Sequence, residues 1–496
     1  MEVNSIQPLI PIIVAGLAGI LTFYNGDKAY YRNLWGTLAS VVAFVAVVSM
    51  IPGALDGVIY KYNLADLVQG LNITFRVDGL ALVFAMVSSS MWLLVNIYTI
   101  GYMEHEDNKQ RFFSFLALSL FAAFGIALSE NLFTFLVFYE ALSIFTYPLV
   151  MHTGTKEAYK AGSRYLIYTL GGGGFLLIAI MITYFITGDL TLSKAGLFSI
   201  SDGTGILRVL FFLYLIGFGV KAAIMPLHHW LPSAMVAPTP VSTLLHAVAV
   251  VNAGVFGVLR LIYSIYGVDL MRQLGLGNVL LGIAAFTVLT ASLIAIKQDN
   301  LKRRLAYSTI SQLSFIIMAG ALLTPIGAAA AMMHIVNHGF TKGTLFMSAG
   351  IIMEETGVTN ISEMKGIAKR LPWTMAIFTL AALGLIGIPP FAGFVSEWLV
   401  GQGAMQGGKL AVLVIIAVNA LLDALYFLPI IYTAYFDKQP EESKYDFAPR
   451  RLETTWTMLG PIVGTSGITV VLGLFAGAPG LPLSVASLAS SFFFKG

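Results

Sequence analysis

Residues Tyr214–Leu261 read YLIGFGVKAAIMPLHHWLPSAMVAPTPVSTLLHAVAVVNAGVFGVLRL. The stretch is apolar enough to lie in a bilayer, yet it holds a lysine, three histidines, an arginine and four prolines. Lys221 falls in the middle of a hydrophobic run, with no acidic residue within a helical turn or two on either side. An ammonium at that depth costs roughly 2.5–3.5 kcal/mol on insertion scales, so it faces a protein-lined or watered interior and needs a partner. Pro226 and Pro232 break the helix, and Pro238 and Pro240 open the next one. Broken helices at membrane depth are tolerated only where the freed backbone is buried in protein or lines a wet cavity. A buried cation beside a broken helix predicts a conduction path.

Composition agrees outward from this stretch. The 496 residues are 57% hydrophobic and 11% charged, with a mean hydropathy of +0.84, which assigns the chain to multi-span α-helical membrane proteins. Zero cysteines remove disulfides, iron–sulfur clusters and thiolate zinc sites. A net charge of +3 selects no partner, and nothing points to nucleic acid. No G-x-x-x-x-G-K loop and no strand-linked G-x-G-x-x-G is present, and the run Gly171–Gly174 predicts close helix packing. Residues 1–23 lack a basic n-region and a cleavage site, so they are expected to form a first span rather than a signal peptide.

Windows of about 20 apolar residues predict an all-α polytopic membrane protein of fourteen spans. They lie near 7–23, 34–52, 78–101, 111–128, 131–151, 162–187, 205–227, 239–265, 277–296, 301–323, 325–352, 373–400, 409–436 and 456–477. Loops after odd-numbered spans hold eighteen of the 28 Lys and Arg, and the opposite side holds seven. By the positive-inside rule both termini are external to the cell membrane. The loop Asp437–Thr455 mixes both signs and is expected to be solvated or a docking surface for a neighbour. The chain ends 19 residues after its last predicted span, so no long lateral appendage is expected. Leu215-Ile216-Gly217 before the seventh-span break echoes Leu385-Ile386-Gly387 before Pro389-Pro390 in the twelfth, as in duplicated five-helix units.

The other ionisable residues in spans are the remaining candidates. Glu140 sits mid-span in NLFTFLVFYEALSIFTYPLV and is a candidate partner for Lys221. At about 4 Å and an effective dielectric near 20, such a pair is worth roughly 4 kcal/mol. His246 shares its surroundings with Thr239, Ser242, Thr243 and Asn252, which suits a proton relay. His228 and His229 are expected in loop packing at the cytoplasmic boundary. His334, His338 and Lys342 are four apart and share one helix face, a polar stripe that packing does not explain. His-x-x-x-His is also a metal or haem spacing, though a third ligand would have to come from another span. Glu397 follows Pro389-Pro390 as a candidate embedded acid; Asp423 has no evident partner in sequence. Asp299 with Lys302, Arg303 and Arg304 reads as a largely solvated boundary between spans. Glu140, Lys221, His246, His334, His338, Lys342 and Glu397 therefore form the predicted translocation axis, and no hydrolytic or phosphoryl-transfer constellation accompanies it.

These motifs resemble a known family. KAAIMPLHHWLPSAMVAPTPVSTLLHA (Lys221–Ala247), DNLKRRLAYSTISQLSF (Asp299–Phe315), HIVNHGFTKGTLF (His334–Phe346), VDGLALVF (Val77–Phe84) and the Glu140 span are similar to the antiporter-like proton-translocating subunits. Those occur in complex I, Mrp-type Na⁺/H⁺ antiporters, and membrane-bound hydrogenases and sulfane reductases. The resemblance runs from about residue 70 to 440. It implies two inverted five-helix repeats, spans 4–8 and 9–13, each with one broken helix. The implied division is 1–105, 106–266, 277–436 and 437–496. It also implies that Glu140 is the buried glutamate, Lys221 the gating lysine, and His246, His334, His338 and Lys342 the central relay. Glu397 falls on the exit position. Two departures stand out, since many members carry lysine at the positions of Asn252 and Glu397.

The function expected is an ion-translocating subunit, for H⁺ and possible Na⁺, of a multisubunit membrane complex, with no cofactor or metal of its own and other membrane subunits as partners. The rival classes are a structural antiporter-like subunit with a lost path and a metal- or haem-bearing redox subunit.

Overall fold

The computed structural model describes residues 2–68, 71–439, 445, 447–448 and 452–494. The chain is a mostly helical polytopic membrane protein. Helices α1 (Leu9–Asn25), α2 (Ala29–Ser49), α3 (Gly79–Tyr102), α4 (Lys109–Leu128), α5 (Leu132–Val150), α6 (Lys156–Thr187) and α7 (Thr204–Lys221) lead to the break. After it come α8 (Thr239–Tyr266), α9 (Leu276–Ile296), α10 (Leu301–Gly320), α11 (Pro325–Thr356), α12 (Pro372–Ile386), α13 (Ala392–Gln406), α14 (Ala411–Tyr435), α15 (Trp456–Leu474) and α16 (Pro482–Phe494). Among the described residues, ten helices are long and apolar enough to cross a membrane. Helices α10 and α11 are outside that group because they carry the polar residues, and protein rather than lipid encloses them. Every residue from Gly327 to Ile352 in α11 is buried.

The expectation of an all-α chain is corrected by a small three-stranded sheet: β1 (Glu2–Asn4), β2 (Ile59–Val68) and β3 (Leu71–Val77). Strand β1 runs parallel to β2, and β2 pairs antiparallel with β3. In β3 the apolar residues Leu71, Ile73, Phe75 and Val77 alternate with polar ones, the period of a strand with one packed face. Phe75 and Val77 are buried. The sheet grips the start of α5: Asn131 Nδ2 donates to the Asn72 side chain and to Thr74 Oγ1, each at 2.7 Å. Lys61 pairs with the buried Glu130 at 2.6 Å. The helix that bears Glu140 is thus anchored at its N-terminus.

Both predicted helix breaks are present. Helix α7 stops at Lys221, the chain turns at Ala223 with φ +54°, and a short helix at Trp230–Ser233 precedes α8. Trp230 Nε1 donates to the Val220 carbonyl at 2.7 Å, which also accepts from the Ala223 N–H at 3.1 Å, so a side chain from beyond the break helps close the end of α7. Helix α12 ends on Gly387, at φ +85°, a left-handed cap that a side chain would oppose. Pro389 and Pro390 follow, and α13 begins at Ala392. Across the chain the buried Glu453 accepts the backbone N–H groups of Trp373 and Thr374, both at 2.9 Å, and so caps the start of α12.

Two expectations concern the C-terminal part of the chain. Another apolar helix, α16, follows the last predicted span and packs on α3 and α11, so the C-terminal stretch is built into the bundle. Within Asp437–Thr455, residues 440–444, 446 and 449–451 lie outside the described residues, and with them the docking reading of that loop.

Candidate functional site

The first group of candidates lies where α5, α6 and α7 meet. Glycines allow the approach, as the Gly171–Gly174 run predicted: a Cβ on Gly172 would touch the Val220 side chain at 3.0 Å, and one on Gly217 would meet Leu176 at 2.9 Å. A Cβ on Gly173 would overlap the Glu140 carboxylate, so this glycine makes the recess that holds the acid. Gly171 and Gly174 face open space. Lys221 ends α7 and is fully buried. Its Nζ donates to the Tyr139 carbonyl and stands 3.4 Å from the centroid of the Tyr139 ring. Glu140 interacts with it electrostatically, but the two are not within 4.0 Å of each other, and Glu140 Oε1 has no protein hydrogen-bond partner. A Cβ on Gly254 of α8 would strike the Lys221–Ala222 backbone, so α8 crosses directly over the break.

The second group is spread over α8, α10, α11, α13 and α14. His246 sits in a π-helical turn, Leu244–Val248, an irregularity that recurs at functional sites. It stacks on Phe346, with ring centroids 4.4 Å apart. That turn packs on α11 where Gly339 and Gly343 leave room: their Cβ atoms would approach the Ala247 carbonyl at 3.1 Å and the Ala247 methyl at 3.7 Å. Both ring nitrogens of His246 and of His338 are buried without a protein hydrogen-bond partner. One turn on, Lys342 Nζ donates to Ser308 of α10 and lies 5.6 Å from the Phe427 ring of α14. Lys342 interacts electrostatically with His246, His334 and His338.

His334 is held at both ends. Its Nδ1 is 2.9 Å from Ser396 Oγ and its Nε2 is 2.7 Å from Gln312 Oε1. Both ring nitrogens of His334 are therefore engaged by protein groups, which disfavours a metal or haem on His334. Glu397 follows Ser396 on α13 and is buried against Gly387, whose Cβ would overlap its carboxylate. The acid lines a cavity of about 320 Å³ with Gly387, Phe394, Trp398 and Gln402. Trp398 is 58% exposed, so Glu397 sits near the outer wall.

The partners and burial of several residues escaped the sequence reading. Asp423 on α14 is fully buried and accepts from Gln312 Nε2 at 2.8 Å, Asn419 Nδ2 at 3.2 Å and Tyr426 OH at 2.6 Å. Gln312 comes from α10 and was invisible in the local sequence, whereas the i−4 and i+3 spacing of Asn419 and Tyr426 on the same helix was the available signal. Lys302 and Arg304, expected to be solvated, are buried; Lys302 Nζ donates to the Ala237 carbonyl at 2.6 Å, and Arg304 donates to the carbonyls of Gln298 and Tyr426. The freed carbonyls near the first break bring Lys302 inside. His228 is buried while His229 is exposed.

Comparison with known proteins bears on the family and the fold. Residues 129–423 match the family described as "NADH:quinone oxidoreductase/Mrp antiporter, TM", and residues 68–113 match "NADH-Ubiquinone oxidoreductase (complex I), chain 5 N-terminus". The chain is 29% identical to NADH-quinone oxidoreductase subunit N of Desulforudis audaxviator, over 94% of each protein. It is also 29% identical to hydrogenase-4 component B of Escherichia coli, over 94% of this chain and 72% of that one. With the antiporter subunit mnhA2 of Staphylococcus haemolyticus it shares 30% identity over 88% of its length, but it spans only 58% of that relative. In fold it is similar to a chain of the Mrp complex from Dietzia sp. DQ12-45-1b, with a TM-score of 0.88 at 23% identity over 99% of this chain and 97% of that chain. A chain of the membrane-bound sulfane sulfur reductase, an archaeal respiratory membrane complex, gives a TM-score of 0.84 at 23% identity, over the same shares. The family match covers more than half of the chain, which therefore belongs to the NADH:quinone oxidoreductase/Mrp antiporter transmembrane family.

Proposed function

We propose that this chain is the ion-translocating subunit of a larger membrane complex and moves protons along Glu140, Lys221, His246, His334, His338, Lys342 and Glu397. The observation that carries the reading is the burial of two lysines and three histidines inside a membrane protein, at 0% or 1% exposure, on contiguous helices. Such groups are costly at membrane depth and persist where they bear ions or protons. The nitrogens of His246 and His338 have no protein partner, so these two rings can take up and release a proton without breaking a protein hydrogen bond, which suits a relay. Glu140 and Glu397 serve as the two ends. The resemblance supports fourteen spans with inverted repeats at spans 4–8 and 9–13, the divisions 1–105, 106–266, 277–436 and 437–496, and external termini in the cell membrane. Partner subunits are those of a hydrogenase-, sulfane-reductase-, complex I- or Mrp-type assembly, and the ion is H⁺, with Na⁺ as a possible counter-ion.

The test is Lys221→Ala in the intact complex reconstituted into vesicles, with dye-reported pH gradients. Loss of proton movement with assembly preserved supports the reading. Unchanged movement favours a structural subunit.

A further inference from the structure

We propose that Asp423 and Gln312 are positioning residues that decide which ring nitrogen of His334 carries its hydrogen. The inference deepens the relay reading by assigning the direction from which His334 accepts a proton. Asp423 is buried, and its carboxyl oxygens face the side-chain amides of Gln312 at 2.8 Å and Asn419 at 3.2 Å and the hydroxyl of Tyr426 at 2.6 Å. The orientation of Asn419 is set separately, because its Oδ1 accepts from Ser292 at 3.0 Å and Ser311 at 3.1 Å. That leaves its NH2 to face Asp423. The Asn419 NH2 only donates and the Tyr426 hydroxyl donates to a carboxylate, so an ionised Asp423 accepts from both at once.

A carboxylate has no hydrogen to give, so Gln312 must turn its NH2 toward Asp423. The amide oxygen then faces His334 Nε2 at 2.7 Å. An amide oxygen only accepts, which requires the hydrogen on Nε2. Nδ1 is left as the bare nitrogen and accepts the Ser396 hydroxyl hydrogen at 2.9 Å, in place of the Gly393 carbonyl that lies 2.9 Å from the same hydroxyl; Ser396 is one residue along α13 from Glu397. His334 is thereby open to a proton from the Glu397 side and closed toward α14. The charged and titratable groups facing Asp423 are Lys342 on α11, Glu397 on α13 and Tyr426 on α14. With Asp423 neutral, Gln312 has no fixed direction and both ring forms are populated.

The ring form is read by ¹⁵N NMR of the full chain labelled at histidine, with His334 assigned by its loss in His334→Asn. The wild type is expected to show a bare Nδ1 and a protonated Nε2, with a preference of about fivefold or more. Asp423→Asn should give a mixture, and Asp423→Glu should restore the single form. Gln312→Met, on a different helix, should also abolish the preference, and it keeps the test in force if Asp423→Asn fails to fold. A hydrogen on Nδ1 in the wild type, or an unchanged ring in folded Asp423→Asn or Gln312→Met, overturns the proposal. Because the spectrum needs no ion transport, its outcome stands apart from that of the transport reading.

Discussion

Lys221 rests on Tyr139: its Nζ stands 3.4 Å from the ring centroid and donates to the carbonyl of the same residue, one position before Glu140. The ammonium is thus docked beside the acid rather than on it. A desolvated cation–π contact is worth about 2 kcal/mol, enough to compete with a partner carboxylate at longer range. Tyr139→Phe keeps the ring and should leave proton transport near the wild-type rate. Tyr139→Leu removes the dock and should slow transport by about tenfold or more, as measured by initial rates of dye quenching. Equal rates in the two variants would show that the ring does not hold the lysine.

Gly173 offers a cleaner perturbation of the same site. Alanine there would set a methyl on the Glu140 carboxylate, while Gly171 and Gly174 have nothing within 4 Å. Alanine favours a helix over glycine by roughly 1 kcal/mol, so all three substitutions should leave thermal stability equal or higher. Only Gly173→Ala should lose transport. Loss in all three, or in none, would separate Glu140 from this recess.

Arg260 grips Asp78 with both terminal nitrogens, at 2.6 and 2.9 Å, joining α8 to the start of α3. Arg260→Ala leaves unpaired a carboxylate that is only 14% exposed, and breaking a fully buried pair, the upper bound here, costs about 3–5 kcal/mol. The thermal unfolding midpoint in detergent should fall. Asp78→Leu combined with Arg260→Met should recover part of the loss, since no lone charge remains.

His152, in the turn after α5, gives a pH dependence. Burial, and then the neighbouring Arg111, holds its imidazole below the usual 6.5. The folded state therefore binds fewer protons than the unfolded one. Its contribution is complete above about pH 6.5, the ordinary value, and is lost as pH falls through the lowered folded value. His152→Gln should flatten the loss of stability on acidification. An unchanged slope would locate the acid sensitivity elsewhere.

How much of this was legible follows from where each residue finds its partner. Lys221, Pro226 and the Pro389-Pro390 pair announce themselves, because a charge or a helix breaker in an apolar run conflicts with its own neighbours. The four-residue spacing of His334, His338 and Lys342 marks a shared face for the same reason. Asp423 and Gln312 are 111 residues apart, and nothing local to either reveals the bond. Lys302 read as solvated beside Arg303 and Arg304, yet the Ala237 carbonyl brings it inside. Strand β3 was readable: LNITFRV alternates at period two, but a search for long apolar windows passes over seven-residue strands.

The most direct measurement compares proton transport by Lys221→Ala, Lys342→Ala and the double variant in the reconstituted complex, at matched assembly. Groups in series on one path lose function together, so each single change should reach the same residual rate and the double should go no lower. Partial losses that multiply in the double variant, or transport unaffected by either change, would contradict a single buried axis.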